Sequence, residues 1–173
     1  MIADAMGAYR FGDLLALARR SWIRRMADEL TRRGHPGYRV ADAASMRMLL
    51  QAPRSIGSLG DTLGITRQAA RKVARQLEAR GYTTTRSDPG DARKIIVALT
   101  EEGRTYARAI VEVIASLNET LAERVNRDQL VAADLVLRAA MSDDEEVAAI
   151  ADQIPAPIAV STPSPFARTA SSS

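Results

Sequence analysis

The feature that most constrains this chain is the segment 66–80, TRQAARKVARQLEAR, which has two chemically different faces. Apolar residues recur at spacings of three and four, as on the buried side of a helix: Ala70, Val73 and Leu77. Arginines fall four apart on another face: Arg67, Arg71 and Arg75. Thr66 can cap the first turn and Gly81 can end the helix. The segment therefore predicts a helix that is packed on one side and cationic on the other.

Two short β-rich runs follow this helix. They cover 82–86 and 94–99, and the Pro and Gly of 87–91 between them favour a turn, so the pair predicts a β-hairpin. Upstream, 55–63 reads as a short helix, and Gly64 turns the chain after it. A short helix, a tight turn and a basic helix are the order of a helix-turn-helix, whose second helix enters the DNA major groove. A hairpin directly behind it makes the winged form.

Residues 88–103, DPGDARKIIVALTEEG, resemble the wing signature of the MarR-type (multiple antibiotic resistance regulator) transcriptional regulators. Residues 77–82, LEARGY, are similar to the stretch that joins recognition helix and wing in that family. The resemblance implies a winged helix-turn-helix that binds double-stranded DNA, with terminal helices that interlock between two subunits. Gly60 departs from the pattern, because the family usually has alanine there, and glycine should cost its helix about 1 kcal/mol.

We therefore predict a mainly α fold with a small β-hairpin wing (α+β), a winged helix-turn-helix with N- and C-terminal dimerisation helices. Amphipathic patterns predict helices over 11–32, 41–51 and 101–125, and Asn126 and Gln129 are spaced as a capping box for a last helix. The predicted divisions are an N-terminal dimerisation helix at 1–33, the winged helix-turn-helix DNA-binding domain at 38–100, C-terminal dimerisation helices at 101–150 and a disordered, Pro- and Ser-rich tail at 151–173.

The positive charge of the chain is localised on the winged segment. The net charge is only +3, but 54–94 holds nine Lys or Arg against four Asp or Glu. Such a patch is the electrostatic footprint of a polyanionic partner. Eleven residues in it are candidates for DNA contact: Arg54, Thr66, Arg67, Gln68, Arg71, Lys72, Arg75, Arg86, Asp91, Arg93 and Lys94.

These candidates have different expected roles. The base readers are those in the first turns of the basic helix: Arg67, Gln68, Arg71 and Lys72. Arginine can donate twice to guanine, and glutamine can pair with adenine. Arg54 and Arg75 are better placed for phosphates, which position the protein without specifying sequence. The resemblance implies that Arg93 enters the minor groove, and Asp91 is expected to orient Arg93 or another wing cation.

Several function classes lack the residues that they need. The chain has no cysteine, which excludes disulfides and thiol-based redox sensing. Its one histidine, His35, lies in a loop and is expected at the surface, and no nucleophile elbow, Walker loop, zinc-protease or dinucleotide glycine pattern is present. We therefore expect no catalysis, no metal and no cofactor. No secretory signal or membrane span is recognised, so the predicted location is the cytoplasm.

The expected partners are DNA, a second copy of the chain and a small molecule. The resemblance implies a homodimeric repressor that reads a pseudo-palindromic operator and is released by a lipophilic or aromatic effector. Four residues are candidates to line the effector crevice, although at helical spacing such residues are more often plain core: Trp22, Met26, Met46 and Met48. The alternative is a winged helix that binds an acidic protein partner and no specific operator.

Overall fold

The computed structural model describes residues 11–141 and 144–145, so the predicted tail at 151–173 lies outside it, as do the first ten residues. This part of the chain forms α1 (Phe11–Arg32), α2 (Val40–Gln51), β1 (Arg54–Ser55), α3 (Ile56–Leu63), α4 (Arg67–Glu78), β2 (Thr83–Asp88), β3 (Asp91–Leu99), α5 (Glu101–Ala122) and α6 (Arg127–Met141). The strands form one antiparallel sheet in the order β1-β3-β2. The predicted fold class, mainly α with a small β wing, is confirmed.

Local hydrogen bonds explain both helices of the helix-turn-helix. Ser55 caps α3, because its Oγ accepts from the backbone N–H of Ser58 at 3.1 Å. The turn after α3 uses Gly64 with a φ of 61°, a backbone conformation that glycine adopts without strain. Thr66 caps α4 as predicted, since its Oγ1 accepts from the backbone N–H of Ala69 at 3.2 Å.

Gly60 is explained by the contact between α3 and α4. A Cβ at this position would lie 3.0 Å from the backbone oxygen of Ile65 and 3.5 Å from the Cβ of Ala70. The backbone N–H of Ile65 also donates to the Gly60 oxygen at 3.0 Å. Glycine therefore lets the two helices approach closely, and this packing accompanies the loss of helix propensity expected from the sequence.

The sheet is larger than the hairpin that the sequence predicts. Strand β1 pairs antiparallel with the middle of β3 as a third strand. It is a two-residue strand between a proline and a helix cap, which is too short for an alternating pattern to show. The hairpin strands also reach Asp88 and Asp91, so the turn between them contains only Pro89 and Gly90 rather than the whole of 87–91. The register shifts between Ser87, which pairs with Ile95, and Asp88, which pairs with Asp91, so residues 92–94 of β3 have no partner in β2.

The core lies where α5 packs against α1, α2 and the winged unit, which is the part of the chain from β1 to β3. Its largest fully buried apolar side chains come from six elements: Met26, Leu30, Met46, Leu59, Leu77, Val97, Tyr106, Ile110 and Val113. Burying one aliphatic side chain of this size stabilises a fold by about 1.5–3 kcal/mol. The shared core therefore fixes the winged unit on the long helix α5, which ends at Ala122 rather than at the predicted 125.

Two helices keep apolar surface uncovered. The first half of α1 and the whole of α6 contain no buried residue. Their large apolar side chains are between 40% and 63% exposed: Phe11, Leu14, Leu15, Leu17, Val131, Leu135, Val136 and Leu137. None of the helices in the described ranges is long and apolar enough to cross a bilayer. Each of these helices therefore keeps a group of exposed apolar side chains, which is typical of a surface that packs against a partner.

Gly103 stands at a tight contact between the wing and α5. Thr100 caps α5, because its Oγ1 accepts from the Gly103 N–H at 2.9 Å and donates to the Gly81 carbonyl at 2.6 Å. The backbone N–H of Thr100 donates to the Tyr82 carbonyl at 3.1 Å. A Cβ on Gly103 would lie 1.8 Å from that same carbonyl oxygen. Only glycine therefore lets the strand end and the helix start meet in this way.

We expect Gly103→Ala to lower the free energy of unfolding by roughly 3 kcal/mol, because the Tyr82 carbonyl cannot move aside without breaking its bond to Thr100. Urea unfolding followed by circular dichroism measures the change. Gly12→Ala is the matched control, since no described atom lies within 4 Å of an added Cβ in that helix and alanine should be neutral or stabilising there. Equal stability of the two variants would contradict the predicted clash.

Candidate nucleic-acid interface

The reading face is the set of exposed polar residues on α4: Arg67, Gln68, Arg71, Lys72 and Arg75. On the opposite side of the helix Ala70, Ala74 and Leu77 are buried in the core. The apolar residues hold the helix in place, so its cations stay in water and are free to meet a ligand. Thr66 uses its hydroxyl for the helix cap.

The wing carries a second set of cations. Arg86 on β2 and Arg93 and Lys94 on β3 are all exposed. Asp91 Oδ1 accepts from the backbone N–H of Arg93 at 3.1 Å, and Asp91 Oδ2 lies 3.8 Å from the Nζ of Lys94. The carboxylate therefore holds the backbone at Arg93 and pairs with Lys94, the other wing cation that the sequence left open.

The reading face and the wing meet at a cleft of about 320 Å³, which we call the reading cleft. Arg67 lines it from the first turn of α4, and Asp91, Arg93 and Lys94 line it from the wing. The start of α3 lines it as well. The structure thus brings four of the predicted DNA-contact residues onto one concave surface with an excess of positive charge. Such a surface attracts a phosphate backbone.

Arg54 is placed differently from the other candidates. It is half-buried in β1, and its Nε is buried without a hydrogen-bond partner among the described residues. A side chain held in this way reaches a phosphate less freely than the sequence suggests.

A buried carboxylate for which the sequence carried no prediction, Asp42, anchors the C-terminal end of α4. Its Oδ2 accepts from the backbone N–H of Arg39 at 3.0 Å, from Arg80 Nη1 at 2.8 Å and from the Tyr106 hydroxyl at 2.8 Å. Asp42 is only 2% exposed, and these charge-assisted bonds offset the cost of removing its charge from water. A lone acid inside the apolar helix sequence VADAASMRMLL was the signal that could have found it.

Arg80 turns toward the interior to meet Asp42. Its guanidinium lies 4.8 Å from the centroid of the Tyr82 ring, and that ring stacks on Tyr106 with centroids 4.3 Å apart. His35, expected at the surface, is half-buried with its ring 5.3 Å from Tyr106. Burial, and then the hydrogen bond to Asp42, raises the pKa of the Tyr106 hydroxyl, which therefore stays protonated and keeps donating. One arginine counted toward the positive patch is thus structural.

The four predicted effector residues differ in exposure. Met26 and Met46 are fully buried in the core. Trp22 and Met48 are half-buried, and Trp22 packs against the core. The two buried methionines act as core side chains, while Trp22 and Met48 keep some surface for a ligand. Within the described ranges, no three His, Asp or Glu side chains come together in a way that would hold a metal ion.

Comparison with known proteins gives one related sequence and many related structures. No family model matches the chain. The HTH-type transcriptional repressor NicR of Pseudomonas putida is 30% identical over 93 residues, which make up 54% of this chain and 59% of that protein. The match therefore spans less than two thirds of that relative.

Two solved structures show the shared architecture. The PcaV transcriptional regulator from Streptomyces coelicolor, in complex with its natural ligand, has a TM-score of 0.66 at 22% identity, with 79% of this chain and 96% of that chain covered. A mutant MarR from E. coli, complexed with operator DNA, has a TM-score of 0.64 at 17% identity, with 75% and 92% covered. The MarR-type winged helix-turn-helix fold that the wing and linker motifs imply is therefore confirmed.

We expect Asp42→Ala to lower the free energy of unfolding by about 3–5 kcal/mol, because Arg80 and the Tyr106 hydroxyl would stay buried without their acceptor. Tyr106→Phe removes one donor and should cost about 1–2 kcal/mol. Denaturant titration at constant pH measures both. Val40→Ala serves as the control on the same helix, since Val40 is 48% exposed. A loss in Asp42→Ala as small as that of the control would show that the buried carboxylate is not an anchor.

Proposed function

We propose that this chain, which has the MarR-type winged helix-turn-helix fold, is a sequence-specific double-stranded DNA-binding transcriptional regulator acting as a homodimeric repressor. The observation that carries the proposal is the reading cleft, which joins the reading face of α4 to the wing cations. Both surfaces are exposed, cationic and attached to one core. This arrangement suits duplex DNA, whose major and minor grooves lie side by side within a negatively charged backbone.

In this proposal α4 lies in the major groove. Arg67 and Gln68 occupy the first turn after the Thr66 cap, the part of the helix that reaches base edges in helix-turn-helix proteins. Arginine can donate two hydrogen bonds to guanine O6 and N7, and glutamine can pair with adenine N6 and N7. Arg71 and Lys72 follow one turn later on the same exposed face. We assign sequence reading to these four side chains.

Backbone and minor-groove contacts are assigned to the surrounding cations. Arg75 lies a further turn along α4, and Arg86 is exposed on β2. Contacts from such residues to phosphates set the register without specifying sequence. Arg93 extends into the adjacent minor groove, which attracts arginine where A·T tracts narrow it, and Lys94 adds charge beside it. The half-buried Arg54 contributes charge more than direct contact.

A second copy of the chain is the partner proposed for the uncovered faces of α1 and α6. On α6, Val131, Leu135 and Val136 are more than half exposed. A helix with such a face gains its stability from packing against a partner rather than from its own propensity. A two-fold pair presents two reading helices, so the operator should be pseudo-palindromic.

Release by a small ligand completes the proposal. PcaV, which shares the fold, is described in complex with its natural ligand, and NicR, which shares sequence, is a repressor. In this chain the half-buried Trp22 and Met48 offer apolar surface to a lipophilic or aromatic effector. In this proposal the protein acts on DNA in the cytoplasm and catalyses no reaction.

Selection of bound duplexes from a random pool tests the assignment directly. We expect enrichment of a two-fold symmetric site with half-site centres about 10 bp apart, one turn of the double helix. Affinity should fall steeply with salt, since each neutralised phosphate releases counterions. A pool without any enriched sequence would favour the alternative, a winged helix that binds an acidic protein.

We expect Arg93→Ala to weaken binding to the selected operator by about 1–3 kcal/mol, because the proposed minor-groove contact is lost. The protein should stay folded and dimeric, because the Arg93 side chain is exposed. A gel-shift titration measures the loss. Arg124→Ala is the charge-matched control, since Arg124 is exposed beyond the end of α5, outside the reading face and the wing. Unchanged affinity in Arg93→Ala would remove the wing from the mechanism.

We expect Leu135→Glu to convert the dimer into a monomer at micromolar concentration, because a buried carboxylate at the centre of an apolar interface has no partner there. Sedimentation equilibrium measures the mass. Leu135→Met keeps an apolar side chain and should stay dimeric. A monomeric unmodified chain, or a Leu135→Glu variant that remains a dimer, would exclude α6 from the interface.

A further inference from the structure

Glu78, the last residue of α4, is hydrogen-bonded to the wing. Its Oε1 accepts from the backbone N–H of Thr85 at 3.0 Å and from the Thr85 hydroxyl at 2.8 Å. Both donors belong to β2, so one carboxylate oxygen joins the end of the reading helix to the hairpin. Hydrogen bonds to an ionised acceptor are shorter and stronger than those between neutral groups. We call this pair of hydrogen bonds the wing clamp.

Strand β2 has a free donor for this contact because it is an edge of the sheet. In the order β1-β3-β2 it pairs on one side only, where Thr85 lies opposite Val97 of β3. An edge N–H that points away from the sheet is otherwise left to solvent. The Glu78 carboxylate takes the place of a neighbouring strand. The opposite edge, β1, runs directly into α3, so both edges of the sheet are attached to the helix-turn-helix.

The negative charge of Glu78 opposes phosphate binding, since it lies on the helix that carries the reading face. Any contribution that it makes to a DNA reader therefore comes from geometry. After Leu77 the chain reverses at Gly81, whose φ is 78°, and the Tyr82 N–H donates to the Leu77 oxygen at 3.0 Å. The base of the hairpin is held by this turn, by the Thr100 hydrogen bonds and by the pairing of β3 with β1. The wing clamp attaches β2, the strand edge that these contacts leave free, directly to α4.

We propose that Glu78 is a positioning residue that sets the angle between the wing and the reading helix. It thereby determines which minor-groove step Arg93 enters relative to the bases that α4 reads. This inference rests on the proposed function and adds to it a residue that contacts no base or phosphate. With the wing clamp intact, the β2 edge of the wing is attached to the reading helix. Without it, that edge and the tip beyond it are held less firmly, and the Arg93 contact is weakened.

Two substitutions at Glu78 separate geometry from charge. Glu78→Ala and Glu78→Gln both remove the negative charge, but glutamine keeps a carbonyl oxygen that accepts from both Thr85 donors. We expect Glu78→Ala to weaken binding to the selected operator about tenfold, as for the loss of a hydrogen bond to a charged acceptor. Glu78→Gln keeps a weaker clamp and removes the repulsive charge, so it should bind much more tightly than Glu78→Ala. Thr85→Val, which removes one donor, should fall between Glu78→Ala and the unmodified chain. Equal affinities of the Ala and Gln variants would overturn the proposal.

Combination with Arg93→Ala tests whether the effect runs through the wing. In the Glu78→Ala background, Arg93→Ala should lose most of its effect on affinity, whereas in the Glu78→Gln background it should keep that effect. A residue that only stabilises the fold would not change what Arg93 contributes. Additive losses in both backgrounds would therefore overturn the positioning role.

Hydrogen exchange at the Thr85 amide reports the wing clamp without DNA. The amide should exchange slowly in the unmodified chain and in Glu78→Gln, and faster in Glu78→Ala, with denaturation curves showing that all three fold. If the Thr85 amide exchanges equally fast in all three proteins, and the unmodified chain binds its operator in the separate titration, the inference fails and the proposed function stands. If the unmodified chain selects no duplex, the positioning role falls with the proposed function, and the exchange rates still show whether the clamp forms.

Discussion

Three hydrogen bonds to one oxygen of Asp42 are the interaction on which the geometry of this chain depends. Apolar burial holds α2, α4 and α5 together, but it is non-directional and allows small rotations. Hydrogen bonds are directional, so Arg80 just beyond the end of α4 and Tyr106 on α5 fix how these helices lie against α2. The stacked rings of Tyr82 and Tyr106 extend the same contact to the start of the wing.

Helix α4 is held by neighbouring elements at both of its ends and carries its exposed cations between them. Gly60 lets α3 approach the start of α4, and Arg80 holds the chain just beyond the end of α4. Arginines of one segment therefore have opposite roles, and the helical period separates them. The row with a spacing of four that includes Arg71 and Arg75 continues to position 79, which is alanine. Arg80 lies one position past this row and meets a buried carboxylate instead of solvent.

Features that depend on neighbours in the sequence could be predicted from the sequence. The capping box of α6 is an example, since Asn126 and Gln129 exchange two hydrogen bonds of 2.9 Å. The cap at Thr66 and the hairpin follow from the same kind of local chemistry. Nothing on this scale marks β1, because two residues show no period.

Features that depend on distant residues could not be predicted in this way. Asp42 reaches partners 38 and 64 positions away, and no spacing rule connects them. Gly103 is part of the wing motif in the sequence. Only the fold shows that its missing Cβ allows the close approach of the Tyr82 carbonyl. The helical period was enough to predict that the reading face is exposed. The reading cleft could be recognised only from the structure, because its residues come from separate elements. A pattern thus predicts which face a residue occupies, and tertiary packing decides what that face meets.

The hairpin is a regular ladder from the Thr83–Leu99 pair to the Ser87–Ile95 pair, and the register shifts only beyond it, in the tip that carries Arg93. The distance from the core to this tip therefore depends on how many residues the regular ladder contains. A strand rises about 3.4 Å per residue, close to the spacing of successive base pairs, and its side chains alternate between faces. Lengthening the base of each strand by one residue would turn Arg93 to the other face. Lengthening each by two would restore its face with the tip about 7 Å further out. A change in strand length that keeps Arg93 on the same face must therefore add or remove an even number of residues in each strand. Each such change moves the tip by roughly two base-pair steps of duplex DNA.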